Sequence, residues 1–211
     1  MFNVLALISV LVVMLTMKTL VAILPSSLAA AIWWKESINI ESSVKLGRDR
    51  DLSALAMVLP FCLTVFRFRL YDPSFISGMA DAARLWMIIG IFLIYVLVRR
   101  VAVMLVRSRR MPAKIYAAAD KSANTFFILL TLALLAVGGI ASFAGVSQED
   151  VRIVLLWLSA LIYGLYLIRK LQIFATSCNI FTAFLYLCAL EILTTGIVVV
   201  SDASAVWHSM R

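Results

Sequence analysis

Residues 125–143 read TFFILLTLALLAVGGIASF, a run without a single charged side chain. That run excludes most folds. An α-helix needs about 20 predominantly apolar residues to cross the roughly 30 Å hydrocarbon core of a bilayer. Inside that core only a helix or a closed barrel satisfies every backbone N–H and C=O. The stretch is continuously apolar rather than alternating, so it reads as a helix and not as a barrel strand. The rest of the chain agrees. Of its 211 residues 64% are hydrophobic and 14% charged, against roughly 45–50% and about 25% in a soluble domain. The expectation is an all-α, polytopic helical membrane protein made of one transmembrane domain.

About six spans are legible, at residues 2–24, 52–68, 82–98, 125–143, 153–168 and 178–200. No basic residue precedes the first, so it reads as a retained span and not as a signal peptide. Lys18 lies about two turns from its inner end, within snorkelling reach of the headgroups. Pro25 is expected to break or kink the helix. Residues 28–34 would then lie along the interface, with Trp33 and Trp34 at headgroup level. Pro60 is expected to bend the second span. The third should continue as a helix past the bilayer until Pro112. The fourth and fifth, joined by the short loop GVSQED, should form an antiparallel hairpin.

The formal net charge of +8 follows the same map. Lys18, Lys35, Lys45, Arg48 and Arg50 form one basic region. Arg99, Arg100, Arg107, Arg109, Arg110, Lys114 and Lys121 form a second, and Arg169 and Lys170 a third. Basic residues concentrate on the cytoplasmic side. Residues 25–51, 99–124 and 169–177 are therefore expected in the cytoplasm, with both termini outside. Five basic residues fall elsewhere: Arg67, Arg69, Arg84, Arg152 and Arg211.

The collar formed by Arg99, Arg100, Arg107, Arg109 and Arg110 reads first as a topogenic signal. Its functional readings are binding of anionic lipid or docking of an acidic partner. No aromatic interleaving points to specific nucleic acid. Small residues at four-residue spacing let helix backbones approach closely. The pairs Gly138 and Ser142, Ala141 and Gly145, and Ala160 and Gly164 are expected to pack the fourth and fifth spans together.

Glu191 stands alone among acidic residues inside a span. A charge at depth costs about 3 kcal/mol on insertion scales, so the carboxyl must face protein, face water or be protonated. Its helical face carries Cys188 and Thr195. The candidate cationic partners on other spans are Lys18, Arg67, Arg69 and Arg84. Three readings stand: an anchor between helices, a proton site, or contact with a partner.

Cys62, Cys178 and Cys188 lie in apolar stretches and read as small buried hydrophobes. With one histidine, His208, no metal site or cofactor is expected. There is no Gly-x-Ser-x-Gly elbow, no His-Glu-x-x-His and no phosphate-cradling glycine loop, so an enzyme is not expected. No internal repeat supports an inverted-repeat transporter.

The run FLYLCALEIL, residues 184–193, preceded by RKLQIFATSCNIF, resembles the C-terminal signature of an uncharacterised Bacteroidota inner-membrane family, a domain of unknown function. Members commonly carry proline after Glu-Ile-Leu, where this chain has Thr194. The resemblance implies a multi-pass protein of a bacterial inner (cytoplasmic) membrane and supplies no activity. The functional expectation is a non-catalytic subunit or accessory of a larger membrane complex, with protein export or insertion as the first process considered. Its partners would be the lipid bilayer, anionic lipid and other integral membrane proteins. The alternative is a small proton-coupled transporter or channel using Glu191.

Overall fold

Residues 2–33, 35–36, 43–71, 73, 79–106, 113–176, 179–193 and 195–196 are described by a computed structural model of the chain. All regular structure among them is helical. The helices are α1 (Phe2–Ile32), α2 (Val44–Ala56), α3 (Val58–Arg67), α4 (Asp81–Val106), α5 (Ala113–Phe143), α6 (Gln148–Ala175) and α7 (Ile180–Leu187), the last continued by a π-helical turn over Cys188–Ile192. Among the described residues four segments are long and apolar enough to cross a membrane: Val4–Ile32, Asp81–Met104, Ile115–Phe143 and Gln148–Ala175. By length and composition this is a membrane protein.

Pro25 acts differently from expectation. Helix α1 runs through Pro25 to Ile32 without a break. Proline removes one backbone hydrogen bond, whereas ending the helix at membrane depth would expose several polar groups at once. Trp33, 69% exposed, therefore follows the end of a long helix and not an interfacial segment. The second span is in turn divided. Met57 separates α2 from α3, three residues before Pro60. Pro60 offers no N–H to Ala56 and its ring crowds that carbonyl, so the regular ladder stops one turn earlier. Helix α2 begins at Val44, well ahead of the expected start, and Ser43 caps it by accepting the Leu46 N–H at 3.5 Å.

Helices α5 and α6 form the expected antiparallel hairpin. Gly145 supplies the left-handed residue at the end of α5 with φ of 69°, and the Val146 N–H reaches back to Ala141 O at 3.2 Å. Ser147 caps α6 by accepting the Asp150 N–H at 3.3 Å, and Glu149 and Asp150 complement the positive end of its dipole. Helix α4 extends to Val106. The rest of its expected extension, residues 107–112, lies outside the described residues, as do 197–200 of the sixth span.

The interior is divided along the bundle. Cys62, Val65, Ile88, Leu134, Val151 and Leu155 pack around the α5–α6 loop end. Leu20, Ala54, Met57 and Ile128 join α1 and α2 to α5. Val103, Tyr116, Ile173, Phe174 and Ala183 close the opposite end. There the Arg169 Nε donates to Ala31 O at 2.8 Å, capping the last turn of α1. Large apolar side chains such as Leu7, Met14, Leu15, Trp157 and Phe181 point outward, as a bilayer-facing surface requires.

Candidate functional site

Three helices each bring two polar side chains, four residues apart, to the same place. Tyr95 and Arg99 lie on α4, Tyr166 and Lys170 on α6, and Glu191 and Thr195 on the segment after α7. Four-residue spacing puts both members of a pair on one face of a helix. The faces meet around the Glu191 carboxylate, which is 1% exposed. Its Oε1 accepts from Arg99 Nε at 3.1 Å and from the Tyr166 hydroxyl at 2.6 Å. Lys170 Nζ also donates to Oε1. The same ammonium donates to the Tyr166 oxygen at 3.1 Å, and Arg99 Nη2 reaches that oxygen at 3.2 Å.

A second acid completes the cluster. Asp120 of α5 lies 3.6 Å from Arg99 Nη2 and 3.5 Å from Arg100 Nη1. Arg99, Lys170, Glu191 and Asp120 thus balance formally, two positive charges against two negative. Aromatic rings wall the site. Phe126 lies 5.6 Å from the Tyr166 ring, and the Lys170 ammonium is 5.9 Å from the Phe174 centroid. With few water molecules able to compete, each charge-assisted bond is stronger than at a surface.

The backbone under Glu191 is a π-helical turn, in which the Leu193 N–H bonds to Cys188 O five residues back. A π-turn adds a residue to one turn and rotates everything after it. The Tyr163 hydroxyl donates to Glu191 O at 3.4 Å, and Tyr95 and Thr195 hydroxyls meet at 3.3 Å. Glu191 meets Tyr163 and Tyr186 meets Phe174, so the segment lies antiparallel to α6.

The residues singled out from sequence divide as follows. Glu191 and Thr195 are in the cluster, and Cys188 begins the π-turn. The partners of Glu191 are Arg99 and Lys170, which replace Lys18, Arg67, Arg69 and Arg84 as its expected cationic company. Arg99, a member of the basic collar, has a side chain only 16% exposed and is engaged by two acids. Arg100 keeps a 55% exposed side chain, while Arg107, Arg109 and Arg110 lie outside the described residues. The cluster also sits in the collar half of the bundle, between the middle of α4 and its collar end. Helix α4 rises about 27 Å from Asp81 to Arg99 and only about 10 Å further to Val106.

Of the small-residue pairs, Ala141 packs in the α5–α6 seam, while Gly138 and Gly164 do not meet a helix backbone there. Leu134, Val151 and Leu155 fill it, with Ala141 beside them. Gly138 instead admits Phe68: a Cβ there would stand 2.8 Å from the Phe68 ring. Ser142 returns its hydroxyl to Gly138 O at 2.8 Å. A Cβ on Gly164 would meet nothing within 4 Å, and Ala160 is exposed.

Asp120, Tyr166 and Lys170 were not recognised as site residues from sequence. The signal for Tyr166 and Lys170 was their four-residue pairing, matched by that of Tyr95 with Arg99.

A separate polar knot ties α2 to α5. Asp51 accepts from Asn124 Nδ2 at 2.9 Å and from Arg50 Nε at 3.0 Å, with Lys121 Nζ 3.7 Å away. Lys18 joins neither group. It is exposed near the middle of the span Val4–Ile32, among exposed Met14, Leu15, Met17 and Val21. Among the described residues its ammonium makes no hydrogen bond or ion pair. Compared with known protein families, curated proteins and solved structures, the chain finds no match.

Proposed function

We propose that this chain is a non-catalytic subunit or accessory of a larger assembly in a bacterial inner membrane. Its six spans run with both termini outside, and protein export or membrane insertion is the process we assign first. The family resemblance of residues 184–193 belongs to the same proposal.

The observation that carries the reading is Lys18. About 21 Å of helix separates it from either end of the span Val4–Ile32. A lysine stem reaches only part of that distance, and an unpaired charge there is costly. Glu191 does not supply the counter-charge, because Arg99, Lys170 and Tyr166 of its own chain occupy it. The partner we infer is a membrane helix presenting a carboxylate to α1. The exposed Arg100, with the rest of the collar, offers a second contact at the cytoplasmic face.

Gentle detergent extraction followed by mass spectrometry tests the reading. We expect a stoichiometric integral membrane partner, lost when Lys18→Leu is introduced while the chain's own melting temperature stays unchanged. A lone chain in both preparations, or a partner unaffected by the substitution, overturns it.

A second reading rests on the π-turn, a feature frequent at functional sites. Phenol, ammonium and carboxylate in contact at Tyr166, Lys170 and Glu191 form a chain through which a proton can be relocated. That reading makes the protein a small proton-coupled transporter or channel. It requires the purified chain to dissipate a pH gradient in liposomes, and Glu191→Gln to abolish the flux.

A further inference from the structure

Charge asymmetry leaves Arg67, Arg69, Arg84 and Arg152 unexplained, since none falls in the three basic regions. The fold brings all four together. The end of α3, the start of α4 and the start of α6 border an open cavity of about 680 Å³ lined by these arginines and by Phe66 and Phe68. Asp81 and Glu149 also line it, so four positive charges face two negative ones. Arg84 is 4% exposed and lies 5.8 Å over the Phe66 ring. The buried Nε of Arg152 has no hydrogen-bond partner among the described residues.

We infer that this cavity binds a phosphate-bearing anion. The planar guanidinium fork matches two phosphate oxygens, and several forks around one space give a fit that single lysines do not. A buried donor such as Arg152 Nε gains most from an acceptor brought by a ligand. The volume lies in the range of small-molecule sites. The aromatic side walls suit the carbon part of a phosphate ester. Gln148 ties the start of α6 to the end of α3, its Nε2 donating to Arg67 O at 3.2 Å, and Phe68 is seated on Gly138. The cavity lies at one end of the apolar helices, the level of lipid headgroups. In the proposed topology that end faces outside, but the site itself does not depend on sidedness.

The phosphate has two sources, an anionic lipid or a soluble ester. Melting of the purified full chain in neutral detergent separates them. The probes are phosphatidylglycerol, phosphatidylcholine and sn-glycerol 3-phosphate. We expect saturable stabilisation by phosphatidylglycerol and none by phosphatidylcholine. Stabilisation by glycerol phosphate as well identifies a soluble ester as a ligand. The double substitution Arg69→Gln with Arg152→Gln should raise the half-saturating concentration about tenfold or more. Lys45→Gln, at the opposite end, should leave it unchanged. If the double variant melts poorly without ligand, Arg69→Lys with Arg152→Lys keeps the charge, removes the forks and should still weaken binding. No response to either anion, an undiminished response in the arginine variants, or a response lost instead in Lys45→Gln overturns the inference.

Discussion

At Glu191 a single oxygen carries contacts to Arg99, Tyr166 and Lys170, and this concentration sets what substitutions will do. Removing one member of a buried pair is worse than removing both, because a stranded charge keeps its desolvation penalty without its partner. Glu191→Leu leaves two cations facing each other and should cost about 3–5 kcal/mol. Glu191→Gln retains an acceptor for Tyr166 and should cost less. Adding Lys170→Leu to Glu191→Leu leaves Arg99 with Asp120 and should recover part of the loss. Thermal or denaturant unfolding in detergent of the three variants checks the order. A double variant less stable than Glu191→Leu would show that Lys170 contributes through packing against Tyr166 and Phe174 and not through charge.

Among the helices, close approach is decided by which neighbour arrives and not by residue size alone. Gly138 and Gly164 look equivalent in the chain, since each belongs to a small-residue pair. Only Gly138 has a ring against it. Gly138→Leu should displace Phe68 and destabilise by about 1–3 kcal/mol, the usual range for overpacking. Gly164→Ala enters open space in mid-helix and should be neutral or stabilising by up to about 1 kcal/mol. Melting temperatures of the two variants check this. Equal losses would mean that both glycines sit in tight seams. The prolines make a parallel case. Pro25 is carried inside a long helix, whereas Pro60 coincides with a division of two short ones.

At the scale of the molecule, the buried ionic cluster and the arginine-lined cavity occupy opposite ends of the bundle. The topology assigned to them is testable with cysteines placed on exposed residues. In a background with Cys62, Cys178 and Cys188 replaced by alanine, Lys45→Cys should be protected from an impermeant thiol reagent in intact spheroplasts. Ala144→Cys, in the α5–α6 loop, should be labelled. The reverse pattern would invert the orientation and put the cavity in the cytoplasm. Labelling at both positions would mean an odd number of crossings is misassigned between them.

Composition and the long apolar runs by themselves determined that the chain forms membrane-length helices, because lipid leaves the backbone few other ways to satisfy its polar groups. The hairpin of α5 and α6 was equally legible, since GVSQED holds the Gly145 turn and the Ser147 cap within a few residues. These are local or solvent-imposed constraints. The company of Glu191 was not legible. It depends on how far α4, α6 and the last segment are rotated and slid against one another, which no single helix records. The π-turn at Cys188–Ile192 moves that rotation further by inserting a residue into the turn that carries the carboxylate. For the same reason Arg99 and Lys170, read as surface charges from their place at the ends of spans, became interior partners only when three helix faces closed on them. Arg67, Arg69, Arg84 and Arg152 likewise became a cavity only when three helix ends met.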